Sequence, residues 1–216
     1  MLPGVGRPRF LGVTALPALL PGALVRREDW EGRDLSGASY ERVELVDVDL
    51  TEVTATGGSW VECTFRDCRF TGAALVRTAL TGCTFSGCDL SGVTATDCKL
   101  VGSRFDRCRY DLLSVQGGDW SFTGLPGADL RRARFTGVRM READLSRARL
   151  QGSSVRESDL SAALLHRADL SRCDLRGSDL AGLDPLGTTI SGAIVDMQQA
   201  LVLAVALGLD VRTDER

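Results

Sequence analysis

Seven cysteines, one histidine and 29 carboxylates are the side chains of this 216-residue chain with chemistry to offer. The cysteines are Cys63, Cys68, Cys83, Cys88, Cys98, Cys108 and Cys173, an odd number that argues against a closed disulfide framework. No two form a CxxC pair, and the single histidine, His166, cannot complete a Cys/His zinc site. His166 forms no evident triad, and no phosphate-binding loop occurs. The carboxylates recur on regular tracks rather than converging on a pocket. The expectation is a non-enzyme with no cofactor and no metal.

Every cysteine number ends in 3 or 8, and this register runs through most of the chain. From Trp30 to Val195, 33 of the 34 residues at multiples of five are apolar, Pro185 being the exception. All three tryptophans and both tyrosines belong to this set. Two places before each, from Arg33 to Ala193, 30 of 33 positions hold Ala, Cys, Ser, Thr, Val or Gly; Arg33, Leu113 and Leu183 depart. Eighteen of the 24 glycines have numbers ending in 2 or 7, two places after the large apolar site. In extended backbone residues i−2 and i point to one side, so each unit sends one small and one large side chain inward. An ordinary strand would continue to i+2, but glycine there turns the chain. Each five-residue unit is thus a short edge and a corner.

This pattern resembles the pentapeptide-repeat family. The resemblance implies that four edges close a twenty-residue square coil, giving an all-β fold, a right-handed quadrilateral parallel β-helix. About eight coils at ~4.8 Å spacing make a rod on the order of 40 Å long. Phe65, Phe85 and Phe105 then stack on one wall, and Cys68, Cys88 and Cys108 on the small-residue track of another. A column of thiols fits packing, because zinc ligands need a tetrahedral array. Reduced, buried thiols point to a cytoplasmic protein. Tyr110 to Leu130 keeps the register but not the small-residue rule: Leu113 is large for its slot and Phe122 lies outside the inward set. A local irregularity or bend is expected there.

The pattern divides the chain into an N-terminal extension or cap (1–25), the β-helix (26–195), and a C-terminal helix and tail (196–216). Phe10 to Val25 is apolar behind Arg7 and Arg9, but Pro17 and Pro21 interrupt it and no convincing signal cleavage site follows. No run approaches the roughly 20 apolar residues of a membrane span. Asp196 and Gln199 have capping-box spacing, Met197 to Leu207 follows as a short helix, and Gly208 supplies a stop. That helix is apolar on nearly every side. One face can cover the open end of the coil, and the other needs burial. A homodimer through Leu201, Val202, Leu203, Val205, Leu207 and Leu209 meets that need most simply; the alternative is a cap packed on its own tail.

The stretch Gly192–Val211 resembles the dimerisation segment of the MfpA and Qnr fluoroquinolone-resistance proteins within that family, and Cys108–Leu130 resembles the middle of MfpA. The likeness covers roughly residues 30–211. It implies a dimeric rod that imitates duplex DNA and occupies the DNA-binding saddle of DNA gyrase. Such a rod inhibits gyrase, protects it from quinolone-type poisons, or both. The implied partners are gyrase and a second copy, with no direct nucleic-acid binding and no membrane.

A net charge of −3 excludes a generally basic nucleic-acid binder. The charge is uneven: residues 30–62 hold eight acids and two arginines, 63–130 hold seven acids and seven bases, and 131–216 hold twelve acids and thirteen arginines. Steering into a basic saddle calls for regular negative charge, so the second half departs from a simple mimic. The outward series Asp29, Asp49, Arg69, Asp89, Arg109, Asp129, Arg149, Asp169 alternates enough to neutralise itself between coils. A second series, Asp119, Arg139, Asp159 and Asp179, and the pair Asp144 and Asp184 lie nearer the dimer end. Asp119, Asp144, Asp159, Asp179 and Asp184 are therefore the expected gyrase contacts. The alternative function is a non-catalytic scaffold solenoid binding another protein, which a contiguous apolar or basic wall would favour.

Overall fold

The computed structural model describes residues 18–212; readings made on residues 1–17 and on the last four lie outside it. Its strands are three residues long, each centred on a multiple of five with the centre turned inward. The first wall of the coil carries β1 (Leu24–Arg26), β3 (Glu44–Val46), β6 (Thr64–Arg66), β9 (Thr84–Ser86) and β11 (Arg104–Asp106). The third carries β4 (Thr54–Thr56), β7 (Ala74–Val76), β10 (Thr94–Thr96), β12 (Ser114–Gln116), β13 (Arg134–Thr136) and β14 (Ser154–Arg156). The fourth carries β2 (Ser39–Glu41), β5 (Ser59–Val61) and β8 (Ala79–Thr81). The second wall, centred on Trp30, Leu50, Phe70 and so on, is joined by single bridges such as Asp49↔Arg69 and Asp89↔Arg109. All pairings are parallel with partners twenty residues apart, as in Phe65↔Phe85. The result is a right-handed, four-sided parallel β-helix ending in one short helix, α1 (Met197–Ala206).

The ladder logic is uniform. Trp30 N donates to Asp49 O at 2.8 Å and Asp49 N to Glu28 O at 3.0 Å, so each coil binds the next in both senses. Corners take the left-handed conformation at numbers ending in 2 or 7, Arg132 and Gly187 excepted, with glycine or without it. Seventeen non-glycine residues, from Arg27 to Arg172, have φ between 47° and 59°. The corner is thus a demand of coil closure that glycine eases rather than creates.

Inside, Phe65, Phe85 and Phe105 stack at 4.7 and 4.6 Å with near-parallel rings, and Trp120 continues the column at 6.1 Å. Burying such a side chain contributes roughly 1.5–3 kcal/mol. The small-residue track does more than fit. Cys88 Sγ donates to Phe65 O at 3.4 Å, Thr78 Oγ1 to Ala55 O at 3.1 Å and Ser178 Oγ to Val155 O at 2.9 Å, each 23 residues back. Cys, Ser and Thr thus satisfy a carbonyl lone pair turned toward the core.

The middle is irregular on one wall. Among the described residues, Tyr110 N and Asp129 N lack the ladder bonds that Leu90 N and Arg109 N make one coil earlier, to Arg109 O and Cys88 O. The third wall continues unbroken through β10, β12 and β13. Leu113 is buried where the adjacent coils place Val93 and Ala133, a larger side chain in the same coil at which the second-wall ladder parts. Leu112 and Phe122 stand in left-handed corners, both about half exposed.

Candidate partner-binding surfaces

The C-terminal surface begins with a cap. Asp196 and Gln199 form the reciprocal capping box. The Gln199 side chain is buried, and its Nε2 donates to Leu175 O at 2.6 Å and Ser178 O at 2.7 Å. The Asp196 carboxylate accepts from Gly177 N at 3.0 Å. These groups complete the ladder of the last coil, which would otherwise end in an open edge. Gly208 N donates to Val205 O and Leu209 N to Ala204 O, closing the helix with a Schellman motif. Of the expected dimer residues, Leu203 packs partly buried against the core, while Leu201, Val202, Val205, Leu207 and Leu209 remain exposed. Met197 (81 %) and Val211 (43 %) extend that apolar surface.

The five expected acidic contacts fall on two adjacent walls, Asp119, Asp159 and Asp179 on the fourth and Asp144 and Asp184 on the first. Asp119 pairs with Arg139 at 3.0 Å and Asp159 lies 3.8 Å from Arg141. Partial burial works against the charge of both, but bonds from Ser121 and Ser161 outweigh it and hold them below the usual carboxylate range. Asp144, Asp179 and Asp184 make no ion pair among the described residues; they accept from the amides of Ser146, Ala181 and Leu186. Taking both walls together, residues 117–126, 137–146, 157–166 and 177–186 hold seven acids and two arginines, a net −5. The near-neutral second half of the sequence thus hides an acidic strip, because its arginines gather elsewhere on the coil.

The cysteines lie inward as the register requires, and all but the half-buried Cys108 are fully buried. Burial pushes the Cys173 thiol up to about 11. Hydrogen bonding to the Cys63 thiol and burial push Cys83 up as well, and such thiols are poor nucleophiles and metal ligands. His166 is exposed on a corner of the first wall.

This geometry defines a non-globular class, the four-sided β-solenoid rod with one capped apolar end. Models of the pentapeptide repeat region and of pentapeptide repeats match residues 58–135, and 121–152 and 143–182, respectively. The chain belongs to the pentapeptide-repeat family. A search of curated protein sequences finds no match. Among solved structures, a trypsin-treated variant of QnrB1, a plasmid-mediated fluoroquinolone resistance protein, is 22% identical with a TM-score of 0.61, covering 88% of this chain and 98% of that one. HetL, a pentapeptide repeat protein involved in heterocyst differentiation regulation from the cyanobacterium Nostoc, is 21% identical with a TM-score of 0.50, covering 81% of this chain and 86% of that one. At these identities the likeness is one of fold. Among the described residues, no helix is long and apolar enough to cross a membrane.

Proposed function

We propose that this protein is a non-catalytic, DNA-mimicking rod that binds DNA gyrase in the cytoplasm, inhibiting it, protecting it from quinolone-type poisons, or both. The observation that carries the reading is the acidic strip on the fourth and first walls beside the apolar α1 end. Two copies joined through Leu201, Val202, Val205, Leu207 and Leu209 would set two such strips in line, which is the charge layout a basic DNA saddle accepts. The fold shared with QnrB1, a fluoroquinolone resistance protein, and the resemblance of the C-terminal segment support the same reading. In a supercoiling assay with gyrase from the same organism, low-micromolar protein is expected to inhibit. The triple variant D144K/D179K/D184K is expected to lose most of that effect, and inhibition by neither protein overturns the proposal.

A second reading, a scaffold solenoid for another protein partner, is favoured by one observation. The second half of the second wall is a contiguous arginine-rich surface, the opposite of what a uniform DNA mimic presents. Robust folding with no effect on gyrase would select it.

A further inference from the structure

The polarity of the second wall is too complete to be a by-product of the repeat. Residues 27–32, 47–52, 67–72 and 87–92, which form this wall and its corners in the first half of the rod, hold eight acids and two arginines, a net −6. Residues 107–112, 127–132, 147–152 and 167–172, the same wall in the second half, hold three acids and eight arginines, a net +5. The other three walls show no such swing, summing to 0 over 33–106 (six acids, six bases) and to −3 over 113–186 (eight acids, five bases). One wall is therefore a charge dipole along the rod.

Internal pairing does not erase it. Arg69 meets Asp49 at 2.7 Å and Arg149 meets Asp129 at 2.8 Å. Glu31, Glu52 and Asp67 at one end, and Arg147, Arg167 and Arg172 at the other, make no ion pair among the described residues. At the acidic end, Asp29, Glu31 and Asp49 bring one carboxylate oxygen each within 4.8 Å of one another. Such crowding of like charge is relieved by a cation placed against it.

We propose that the second wall is a self-complementary docking surface on which a second copy lies antiparallel. The central series is its own complement when reversed. With residue 49 facing the partner's 149, the six positions Asp49, Arg69, Asp89, Arg109, Asp129 and Arg149 each meet the opposite charge, and a parallel copy in register meets like with like. A two-fold axis across the wall keeps each corner facing the same corner, so Asp47 meets the partner's Arg147 as well. Only the outermost coil sets like against like, Asp29 against position 169 and Arg27 against Arg167, where the adjacent opposite charges of the same coil lie within reach. The series spans five coil steps, about 24 Å. A wall some 40 Å long and 15 Å wide buries about 1,200 Å² over both copies, the lower edge of specific interfaces. Most of these charges are exposed, so the pairing is weak and salt-sensitive. It is distinct from an apolar end-to-end dimer through α1, which salt does not dissolve.

Sedimentation velocity of the full chain decides the matter. Between ~500 mM and ~25 mM salt the dominant species is expected to double in mass, with association strengthening at least ~tenfold. R147E/R149E and D47R/D49R are each expected to abolish the doubling, because each sets like charges against one another at both ends of the pair. Mixed in equal amounts, the two variants match at both ends and restore it. Absence of low-salt doubling, its persistence in either variant, or failure of the mixture to restore it overturns the inference. Retention of a single, undoubled rod on a heparin column through Arg147 and Arg149 would assign the wall to a polyanion instead, and also overturns it.

Discussion

Gly118 occupies the small-residue track, where most coils carry a Cβ, yet the structure leaves no room for one. A Cβ at Gly118 would lie 2.1 Å from Cys98 O, 2.7 Å from Cys98 N and 3.0 Å from its carbonyl carbon. Carbon–oxygen contacts normally begin near ~3.3 Å, so one coil must move by about 1 Å. Cys98 O is also the acceptor for Asp119 N at 2.9 Å, and the movement breaks that ladder bond. The backbone adds its own penalty, since φ is +85°. For Gly118→Ala, about 1–2 kcal/mol for the left-handed conformation, about 1–3 for the stranded ladder groups and about 1–3 for overpacking give an expected loss of about 3–8 kcal/mol. Gly117 supplies the control. It too is left-handed, with φ +63°, but a Cβ there clashes only with Asp97 Oδ1, the end of a side chain that can swing away, and makes ordinary contact with Asp97 Cγ and Cα at 3.5 and 3.9 Å. Gly117→Ala should cost only the conformational penalty, about 1–2 kcal/mol. Urea unfolding followed by tryptophan fluorescence reads both, with Trp120 two residues from the perturbed site. If the two variants lose equal stability, within about 0.5 kcal/mol, the contact argument is refuted.

The other predictions concern the cap, the acids and the thiols. Gln199→Ala strands Leu175 O and Ser178 O and removes half of the capping box, so a loss of about 2–3 kcal/mol is expected, with hydrogen exchange quickening first in the last coil. Hydrogen bonds from Arg131, Ser171 and Arg176 hold Asp129, Asp169 and Asp174 below the usual carboxylate range. A depressed folded-state pKa lends stability above the unfolded value and loses it as pH falls through the folded one. The melting midpoint should therefore be flat from about pH 8 to 5 and fall below about pH 4. Of the seven cysteines, the half-buried Cys108 beside the parted coils should react first with a thiol reagent, the rest only on unfolding; mass mapping of the labelled peptide checks the order.

Much of the architecture was legible in the residues themselves. A strict period of five with large and small inward positions leaves few ways to bury the apolar set, and a one-residue slip would turn it outward. The inward tryptophans, the Phe65–Phe85–Phe105 stack and the Asp196–Gln199 cap all follow from that register and from local hydrogen-bond demand. The resemblance supplied the number of sides and the partner, which spacing alone does not contain.

Other features depend on the coil being closed. Net charge along the sequence averages four walls together, so the acidic strip holding Asp144, Asp179 and Asp184 and the opposed ends of the second wall become visible only when residues twenty apart are superposed. Sequence marked Leu113 as oversized, but which wall yields is decided by how Tyr110, Leu113 and Trp120 share one cross-section. Likewise the register places Gly117 at a corner and Gly118 on the small-residue track, but it does not say which of them tolerates a Cβ. Only the neighbouring coil distinguishes them, because one Cβ would point at a mobile carboxylate and the other at a fixed carbonyl. The sequence by itself determined what faces inward, since burial repeats locally with the chain. Which outward charges share one surface is decided only by the closed coil, since an outward charge acquires its neighbours from the coils stacked above and below it.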